Sequence, residues 1–157
     1  MFFLIYSLFF SDLKARRMSI RNATPEDHDA IKYLLDQLDY PGTEGFLHYK
    51  MIQLISHPSS ALLVYESDGR VVAFLSLNFI TQLALEGDIA RISYFAVDQS
   101  ARGEGIGRQM EAYCEQMARS RQCDRIEVHC HQRRTDAHRF YERQGYIDSP
   151  KYLVKTL

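Results

Sequence analysis

The segment from Arg102 to Arg108, "RGEGIGR", carries glycines at alternate positions and an arginine at each end. Glycine has no Cβ atom, so its backbone amides can converge on an anion, and the unpaired N–H groups at a helix start carry partial positive charge. Arginine adds forked donors that suit phosphate oxygens. The segment therefore predicts a phosphate or pyrophosphate site, with glycine used only for tight helix packing as the alternative.

Two common phosphate motifs do not fit this segment. A Walker loop ends in Gly-Lys followed by Ser or Thr, and the sequence has no such ending here. A dinucleotide fingerprint needs a glycine at the position of Arg108. The phosphate is therefore expected to belong to another kind of cofactor.

Strand-like sequences on both sides of the glycine segment indicate how it is held. Residues 88–98 and 124–130 are predicted strands, and the helix between them has apolar residues at helical spacing, as expected for a helix that packs on a sheet. These apolar residues are Ile106, Met110, Tyr113, Cys114, Met117 and Ala118. A strand-helix-strand unit of this length predicts that the two strands are parallel neighbours.

The remaining predicted elements give an α/β or α+β fold with a mixed sheet. The Asp68-Gly69 pair tolerates the positive φ angles of a tight hairpin turn. The other elements are a strand over 19–22, a helix after Thr24, a helix from Thr43 to residue 57, hairpin strands over 60–67 and 70–80, a helix over 136–144 ended by Gly145, and one or two closing strands over 146–157.

Two motifs resemble the GCN5-related N-acetyltransferase (GNAT) superfamily. "VDQSARGEGIGRQM" resembles its acetyl-CoA motif, Gln/Arg-x-x-Gly-x-Gly/Ala, through Arg102, Gly105 and Gly107. "AHRFYERQGY" resembles a second motif of that superfamily through Ala137, Phe140, Tyr141, Gly145 and Tyr146. The resemblance covers residues 18–157 and is nearest to the small-amine, aminoalkylphosphonate-type branch. It implies a mostly antiparallel twisted sheet with splayed parallel central strands, flanked by helices.

The resemblance implies acetyl-CoA as cosubstrate and a primary amine, on a small molecule, as acceptor. Tyr141 is then the general acid that protonates the leaving thiolate, because a phenol has an ordinary pKa of about 10. A backbone N–H near Val97 would stabilise the oxyanion. The cofactor-binding residues implied are Phe95, Ala96, Val97, Arg102, Gly103, Glu104, Gly105, Ile106, Gly107, Arg108, His131 and Tyr141.

The base that deprotonates the incoming ammonium is left open among several side chains. His131 and Glu86 are our first choices, a neutral imidazole acting directly and a carboxylate through water. The other candidates are Asp88, Tyr94 and His129. On a strand, His129 and His131 would share one face, but without a third ligand no metal site is predicted.

Acceptor-side residues are expected on the two early helices and the strand before the glycine segment. Side chains that could line a cleft there are Tyr40, Phe46, His48, Tyr49, Phe79 and Arg91. The alternative is that the aromatic side chains belong to the core and that Arg91 is a solvated strand residue.

Composition limits the other functions. The chain has 157 residues, 19 basic and 20 acidic side chains and a net charge of −1, which lacks the basic excess of a nucleic-acid-binding domain. Three cysteines without paired spacing fit free thiols in the cytoplasm.

Residues 1–17 are expected to be an apolar extension ahead of a single domain over 18–157, and the apolar run within them is too short to span a bilayer. The GNAT resemblance is also compatible with a homodimer. A sensor of the same fold that binds acyl-CoA without transferring the acyl group is the alternative function.

Overall fold

The computed structural model describes residues 18–149 and 153–157. The strands are β1 Met18–Asn22, β2 Ser60–Ser67, β3 Arg70–Ile80, β4 Ile89–Val97 and β5 Arg125–Val128. The helices are α1 His28–Gln37, α2 Leu47–Ser56, α3 Ile106–Ser120 and α4 Thr135–Arg143. Short 3₁₀ turns at Pro25–Asp27 and Gln99–Ala101 precede α1 and the glycine segment.

The described strands form one mixed sheet in the order β1-β2-β3-β4-β5. The first four strands are antiparallel neighbours, and β4 and β5 are parallel, as predicted for the strand-helix-strand unit. The hairpin turns at Asp68 and Gly69, whose φ angles are 51° and 78°. Because this left-handed conformation suits glycine and is tolerated by Asp, the predicted hairpin is confirmed.

Helices cover both faces of the sheet. On one face, Leu62, Val64 and Phe74 pack against buried side chains of α1 and α2. On the other face, Leu63, Leu75 and Leu77 pack with buried residues of α3 and with Tyr141 of α4. Alternate residues of β2 and β3 therefore enter two different cores, as the pleat requires.

The parallel pair separates where the site is expected. The last paired residues are Ile92 on β4 and Val128 on β5, and β4 continues alone on that side to Val97. Ser93 is an additional residue in β4, because Ser76 pairs with Tyr94 while Leu77 pairs with Ile92. Such a bulge bends a strand and increases its twist. The expected splay is thus present in the described sheet.

The start of the first helical segment follows the predicted capping pattern. Thr24 has an extended conformation and Pro25 follows it, and the Thr24 backbone N–H donates to Asp27 Oδ2 at 2.8 Å. Arg21 of β1 donates to both oxygens of Asp27, at 2.8 and 2.9 Å. The buried carboxylate of Asp27 therefore joins β1 to the segment that leads into α1.

Three element predictions differ from the structure. The second helix begins at Leu47 and not directly after Thr43, because a turn whose Phe46 and Leu47 amides donate to the Thr43 carbonyl comes first. The strand predicted over 124–130 ends at Val128, because β4 has diverged and offers it no further partner. Consequently His129 and His131 do not lie on a strand.

The closing strands are the third difference. Residues 146–149 and 153–157 contain no strand, and the rest of that prediction, including Pro150, lies outside the described residues. In the described part of the chain, the parallel pair therefore lies at one side of the sheet and not at its centre. The closing strands were predicted from the apolar residues of this segment. Three of these residues, Ile147, Leu153 and Val154, have exposed side chains and pair with no described strand. The predicted extension over 1–17 also lies outside the described residues.

Candidate active site

The glycine segment forms an open turn that leads into α3. Gly103 and Gly105 have φ angles of 84° and 80°, and a Cβ atom at either position would meet no atom within 4 Å. Gly105 is the N-cap of α3, so the amides that follow it are unpaired groups at the start of a helix of 15 residues. Arg102, Glu104 and Arg108 are exposed around this turn. The open space, the helix start and the arginines fit a bound pyrophosphate.

Gly107 serves a different purpose from the other two glycines. An added Cβ atom would lie 3.2 Å from Cε2 of Phe140, so the start of α3 approaches the ring of Phe140 closely. The adjacent Ile106 is buried in the core. Thus Gly107 fits the packing interpretation of the segment, whereas the open space at Gly103 and Gly105 is compatible with the phosphate interpretation.

Arg102 is held against β4. Its Nε donates to the carbonyl oxygen of Val97 at 3.1 Å, although the side chain is otherwise exposed. Phe95 and Val97 are half-buried on the α3 and α4 side, whereas Ala96 is buried on the α1 and α2 side. The backbone of this part of β4 is free of β5, which leaves an edge able to bind an extended ligand.

Tyr141 lies in an apolar environment on α4. Its side chain is buried, and its ring contacts the rings of Phe140 and Tyr146 at centroid distances of 5.1 and 5.2 Å. Burial raises the pKa of Tyr141 well above its ordinary value, and the neighbouring Cys130 thiol raises it further. The phenol is therefore protonated throughout the neutral pH range.

A buried acid beside Tyr141 was not found from the sequence. Glu111 of α3 is only 5% exposed, and Tyr146 donates a hydrogen bond to its Oε1 at 3.0 Å. Burial raises the pKa of Glu111, while the hydrogen bond from Tyr146 opposes that shift. The apolar positions that define the predicted helix do not include Glu111, and no local pattern signals its partner, which lies on a segment 35 residues away.

His131 follows β5 on an exposed turn. Its Nδ1 accepts a hydrogen bond from the Arg133 amide at 3.2 Å, and its carbonyl contacts Nε2 of His138 at 3.1 Å. With Nδ1 accepting, a neutral ring carries its proton on Nε2, so neither nitrogen has a free lone pair in this arrangement. His131 would need to release the Arg133 amide to act as a base.

The acidic candidates are remote from the glycine turn. Glu86 and Asp88 lie before Ile89, at the beginning of β4, whereas the glycine turn follows its end at Val97. Gly87 between them is packed against the backbone of residues 122–124. The structure therefore does not bring Glu86 together with Tyr141 and the glycine turn. Among the described residues, no group of three or more His, Cys, Asp and Glu is arranged to hold a metal ion.

Aromatic residues from two segments meet at the splayed end of β4, on the side opposite Tyr141. Tyr40, between α1 and α2, contacts Tyr94 of β4 with ring centroids 5.3 Å apart. The Arg134 guanidinium lies 5.9 Å from the Tyr40 ring and donates to the Leu38 carbonyl at 2.6 Å. These groups form one wall of the space beside the splay.

The other predicted acceptor-side residues are not all in this wall. Phe46 and Tyr49 are exposed, and the ring of His48 contacts that of His28 at 5.9 Å. Phe79 is buried in the α3-side core. It lies two residues beyond Leu77 and four beyond Leu75 on β3, so all three side chains point to that face. Its ring faces the guanidinium of Arg121 at 4.0 Å and does not line the Tyr40 side.

Comparison with known proteins gives the family. The sequence pattern of the acetyltransferase (GNAT) family matches residues 23–146. The chain belongs to the GNAT acetyltransferase family. The GNAT resemblance of the two sequence motifs is therefore confirmed, and the chain is an acetyl-CoA-dependent acetyltransferase.

Relatives of this GNAT protein include both a curated sequence and solved structures. An aminoalkylphosphonate N-acetyltransferase from Salmonella typhimurium is 32% identical over 143 residues, which cover 88% of this chain and 90% of that protein. A Bacillus halodurans C-125 protein described as a transcriptional regulator has a TM-score of 0.80 at 23% identity, with 90% and 100% of the two chains covered.

An aminoglycoside N-acetyltransferase in complex with CoA also has a TM-score of 0.80, at 15% identity, with 93% of this chain and 98% of that chain covered. The structural likenesses support the GNAT fold, and acetyl-CoA is the cosubstrate of this chain. No helix in the described part of the chain has the length and apolar character needed to cross a membrane.

Proposed function

We propose that this GNAT protein acetylates the primary amine of a small molecule, with Tyr141 as the general acid. The observation that carries this proposal is the buried phenol of Tyr141 on α4, beside the splayed end of β5. The 32% sequence identity to an N-acetyltransferase, over 88% of this chain, supports an amine as the acceptor. The small size of the acceptor rests on the same relative.

The residues of the glycine turn are proposed to hold the cosubstrate. Amides of Gly103 to Arg108, with Arg102 and Arg108, would bind the pyrophosphate, and the free edge of β4 at Phe95 to Val97 would bind the extended arm. Acetyl-CoA supplies an activated acyl group as a thioester. The hydrogen bond from Arg102 to the Val97 carbonyl would have to break if the ligand uses that carbonyl as an acceptor.

Tyr141 would provide the proton that the departing sulfur requires. A phenol with a raised pKa keeps its proton, which favours the acid role over any role as an anion. The same surroundings would disfavour a thiolate, because burial also raises the pKa of the nearby Cys114 thiol, to about 12. Proton transfer from Tyr141 to sulfur breaks the phenol O–H bond and forms the S–H bond, so the negative charge passes to the phenolate. Because burial also disfavours that phenolate, Tyr141 must regain a proton, which the amine has lost to base or solvent.

For the base that deprotonates the amine we propose His131 or Glu86, and each could act only under a different condition. His131 would act after its Nδ1 is released by the Arg133 amide, and Glu86 would act only through a chain of water molecules. An amine can also lose its proton to solvent before it binds.

Thiol release from acetyl-CoA tests the proposed function. We expect release that depends on a small amine, and we expect the substitution Tyr141→Phe to lower turnover about tenfold or more with the KM for acetyl-CoA nearly unchanged. The substitution Tyr113→Phe on the exposed side of α3 is the matched control and should retain wild-type turnover. Unchanged turnover of the Tyr141→Phe variant would remove Tyr141 from the reaction. Acetyl-CoA binding without amine-dependent thiol release would favour the sensor.

A further inference from the structure

The 3₁₀ turn that leads into the glycine turn is organised by one buried carboxylate. Asp98 follows β4 directly and is only 3% exposed, and its Oδ1 accepts hydrogen bonds from the Ser100 amide and the Ser100 hydroxyl, both at 2.9 Å. The Asp98 carbonyl accepts from the Ala101 amide at 2.9 Å, and the Asp98 amide donates to the Val72 carbonyl of β3 at 2.8 Å. Asp98 therefore fixes the direction in which the chain leaves the sheet toward Arg102.

Gln37, the last residue of α1, contacts the same 3₁₀ turn. Its Oε1 accepts a hydrogen bond from the Gln99 amide at 3.0 Å. Hydrogen bonds chiefly from Ser100, and also from the Gln37 side chain, lower the pKa of Asp98 against the opposing effect of burial. The Gln37 side chain therefore faces both the backbone of the turn and its buried carboxylate.

The contacts of Gln37 are not what holds α1 on the sheet. Leu34 and Leu35 of α1 are buried in the core that this helix forms with β2 and β3. The Leu38 carbonyl, next to Gln37, accepts a hydrogen bond from Arg134 Nη2 at 2.6 Å, which ties the end of α1 to the start of α4. Gln37 is thus carried by an element that is anchored independently, so it can act as a support for the turn.

The first two glycines after the 3₁₀ turn are not held by packing. Gly103 and Gly105 are exposed, and a Cβ atom at either position would meet nothing within 4 Å. Glycine loses more conformational freedom than any other residue when it becomes ordered. A fixed segment directly before these glycines lowers the entropy that a ligand must remove on binding, and a preorganised site binds more tightly for that reason.

We infer that Gln37 is a positioning residue for acetyl-CoA, which holds the turn Gln99–Ala101 so that the amides of the glycine turn are preorganised for the pyrophosphate. Gln37 acts through the Gln99 amide and the Asp98 carboxylate and does not contact the cosubstrate itself. The inference rests on the proposed cosubstrate site at the glycine turn, and it adds a residue from α1, which lies on the opposite side of the sheet from α3.

Calorimetric titration with CoA measures the effect of Gln37 without requiring turnover. Gln37→Met has a side chain of similar length without the amide group, whereas Gln37→Asn keeps an amide group that is one methylene too short. Both variants should bind CoA about fivefold or more weakly than wild type, since one hydrogen bond typically contributes about that factor. Gln53→Met, which removes an exposed hydrogen bond to Tyr49 on α2, is the matched control and should bind as wild type does.

Steady-state kinetics separate positioning from a purely structural contribution of Gln37. Gln37→Met should raise the KM for acetyl-CoA and keep kcat within about twofold of wild type, because the reacting groups are unchanged once the site is saturated. A lower melting temperature with wild-type affinity for CoA would show that Gln37 only fastens α1, and would overturn the inference. A lower kcat with wild-type affinity for CoA would also overturn it, because Gln37 would then act on the reaction step.

Arg108→Ala keeps failure of this inference distinct from failure of the proposed function. It removes a charge from the glycine turn itself and should weaken CoA binding about fivefold or more. Weaker binding in Arg108→Ala, but in neither Gln37 variant, would support the cosubstrate site and overturn the inference. Wild-type affinity in all three variants would overturn both. Weaker CoA binding in the Gln37 variants, without amine-dependent thiol release by wild type, would support the inference and overturn the proposed function.

Discussion

Side chains beside Tyr141 determine which protonation states the site can support. Cys114, Cys130 and Glu111 all have pKa values raised first by burial. Each is therefore favoured in its neutral form compared with the same group in water. The site on the α3 and α4 side thus resists negative charge, so neither a thiolate nor the Tyr141 phenolate would persist there, whereas Arg91 and Glu127 on the other face hold opposite charges in contact.

Glu111 and Tyr146 provide a test of this environment. Tyr146→Phe leaves the buried carboxylate without its hydrogen bond, so we expect the free energy of unfolding to fall by about 1–3 kcal/mol. Glu111→Gln keeps an acceptor for Tyr146 and removes the charge. Because the folded-state pKa of Glu111 is raised, the carboxyl group costs stability as pH rises through that pKa, and Glu111→Gln should be at least as stable as wild type at pH 7.

Chemical denaturation at two pH values measures both effects. Any advantage of Glu111→Gln should disappear below the ordinary carboxyl pKa of about 4.3, where the carboxyl group is neutral in both states. Glu115→Gln, at a more exposed carboxylate one turn further along α3, is the control. A Glu111→Gln variant less stable than Tyr146→Phe at pH 7 would contradict the assignment.

Contacts between loops fix the relative position of the strands at the element scale. Gly87, before β4, lies against the loop before β5, where a Cβ atom would be 2.5 Å from the Gln122 carbonyl oxygen and 2.7 Å from the Asp124 amide nitrogen. The Asp124 amide also donates to the Asp88 carbonyl at 2.8 Å. Backbone contacts between the loops that precede β4 and β5 therefore fix the relative position of the two strands at their first residues, remote from the splay.

Gly87→Ala should disturb this contact. Because the colliding atoms belong to the backbone, the loop must move, and we expect a loss of about 1–3 kcal/mol in the free energy of unfolding. Gly45→Ala is the matched control, since a Cβ atom there meets nothing within 4 Å. Thermal or urea unfolding of both variants is the measurement. Equal stability of the two variants would show that the loop yields without cost.

Local sequence signals predicted most elements because each depends on neighbouring residues. The Asp68-Gly69 turn, the start at Thr24 and the end of α4 at Gly145, whose φ is 89°, all follow from residues with special backbone preferences. The glycine turn was likewise found from its own composition.

Features that depend on register could not be found in this way. Arg91 and Glu127 are 36 residues apart, and their contact follows only once the two strands are aligned. The Ser93 bulge is similarly visible only in the pairing of β3 with β4. Extending the fifth strand to residue 130 gave His129 and His131 a shared face that they do not have, because the sequence did not show where β4 leaves β5.

Stability of the whole molecule depends on how its first strand is tied to the first helical segment. Arg21 donates to both Asp27 and Glu66, and the Arg21 hydrogen bonds lower the pKa of Asp27. A lowered folded-state pKa means that Asp27 adds stability above its ordinary pKa of about 3.9, and that this contribution is lost as pH falls through the folded-state value. The protein should therefore lose part of its stability below about pH 4.

Asp27→Asn tests that link. At pH 7 we expect a decrease of about 1–3 kcal/mol in the free energy of unfolding, because a buried charged hydrogen bond to Arg21 is removed. The difference between wild type and variant should narrow on acidification below about pH 4. Asp29→Asn, at a fully exposed side chain, is the control and should remain close to wild type. A constant difference between pH 7 and pH 3 would mean that Asp27 ionisation is not the cause.

The additional residue at Ser93 divides β4 into two lengths with opposite alternation. Before it, Arg91 faces the α1 and α2 side, and after it Phe95 and Val97 face the α3 and α4 side, although all three positions are odd-numbered. Deleting Ser93 would move the side chains of one of these two parts of β4 to the opposite face of the sheet. The bulge therefore lets a single strand present different residues to the two sides of the sheet, so that the Arg91 side can change in sequence without altering the half that we propose holds the acyl donor.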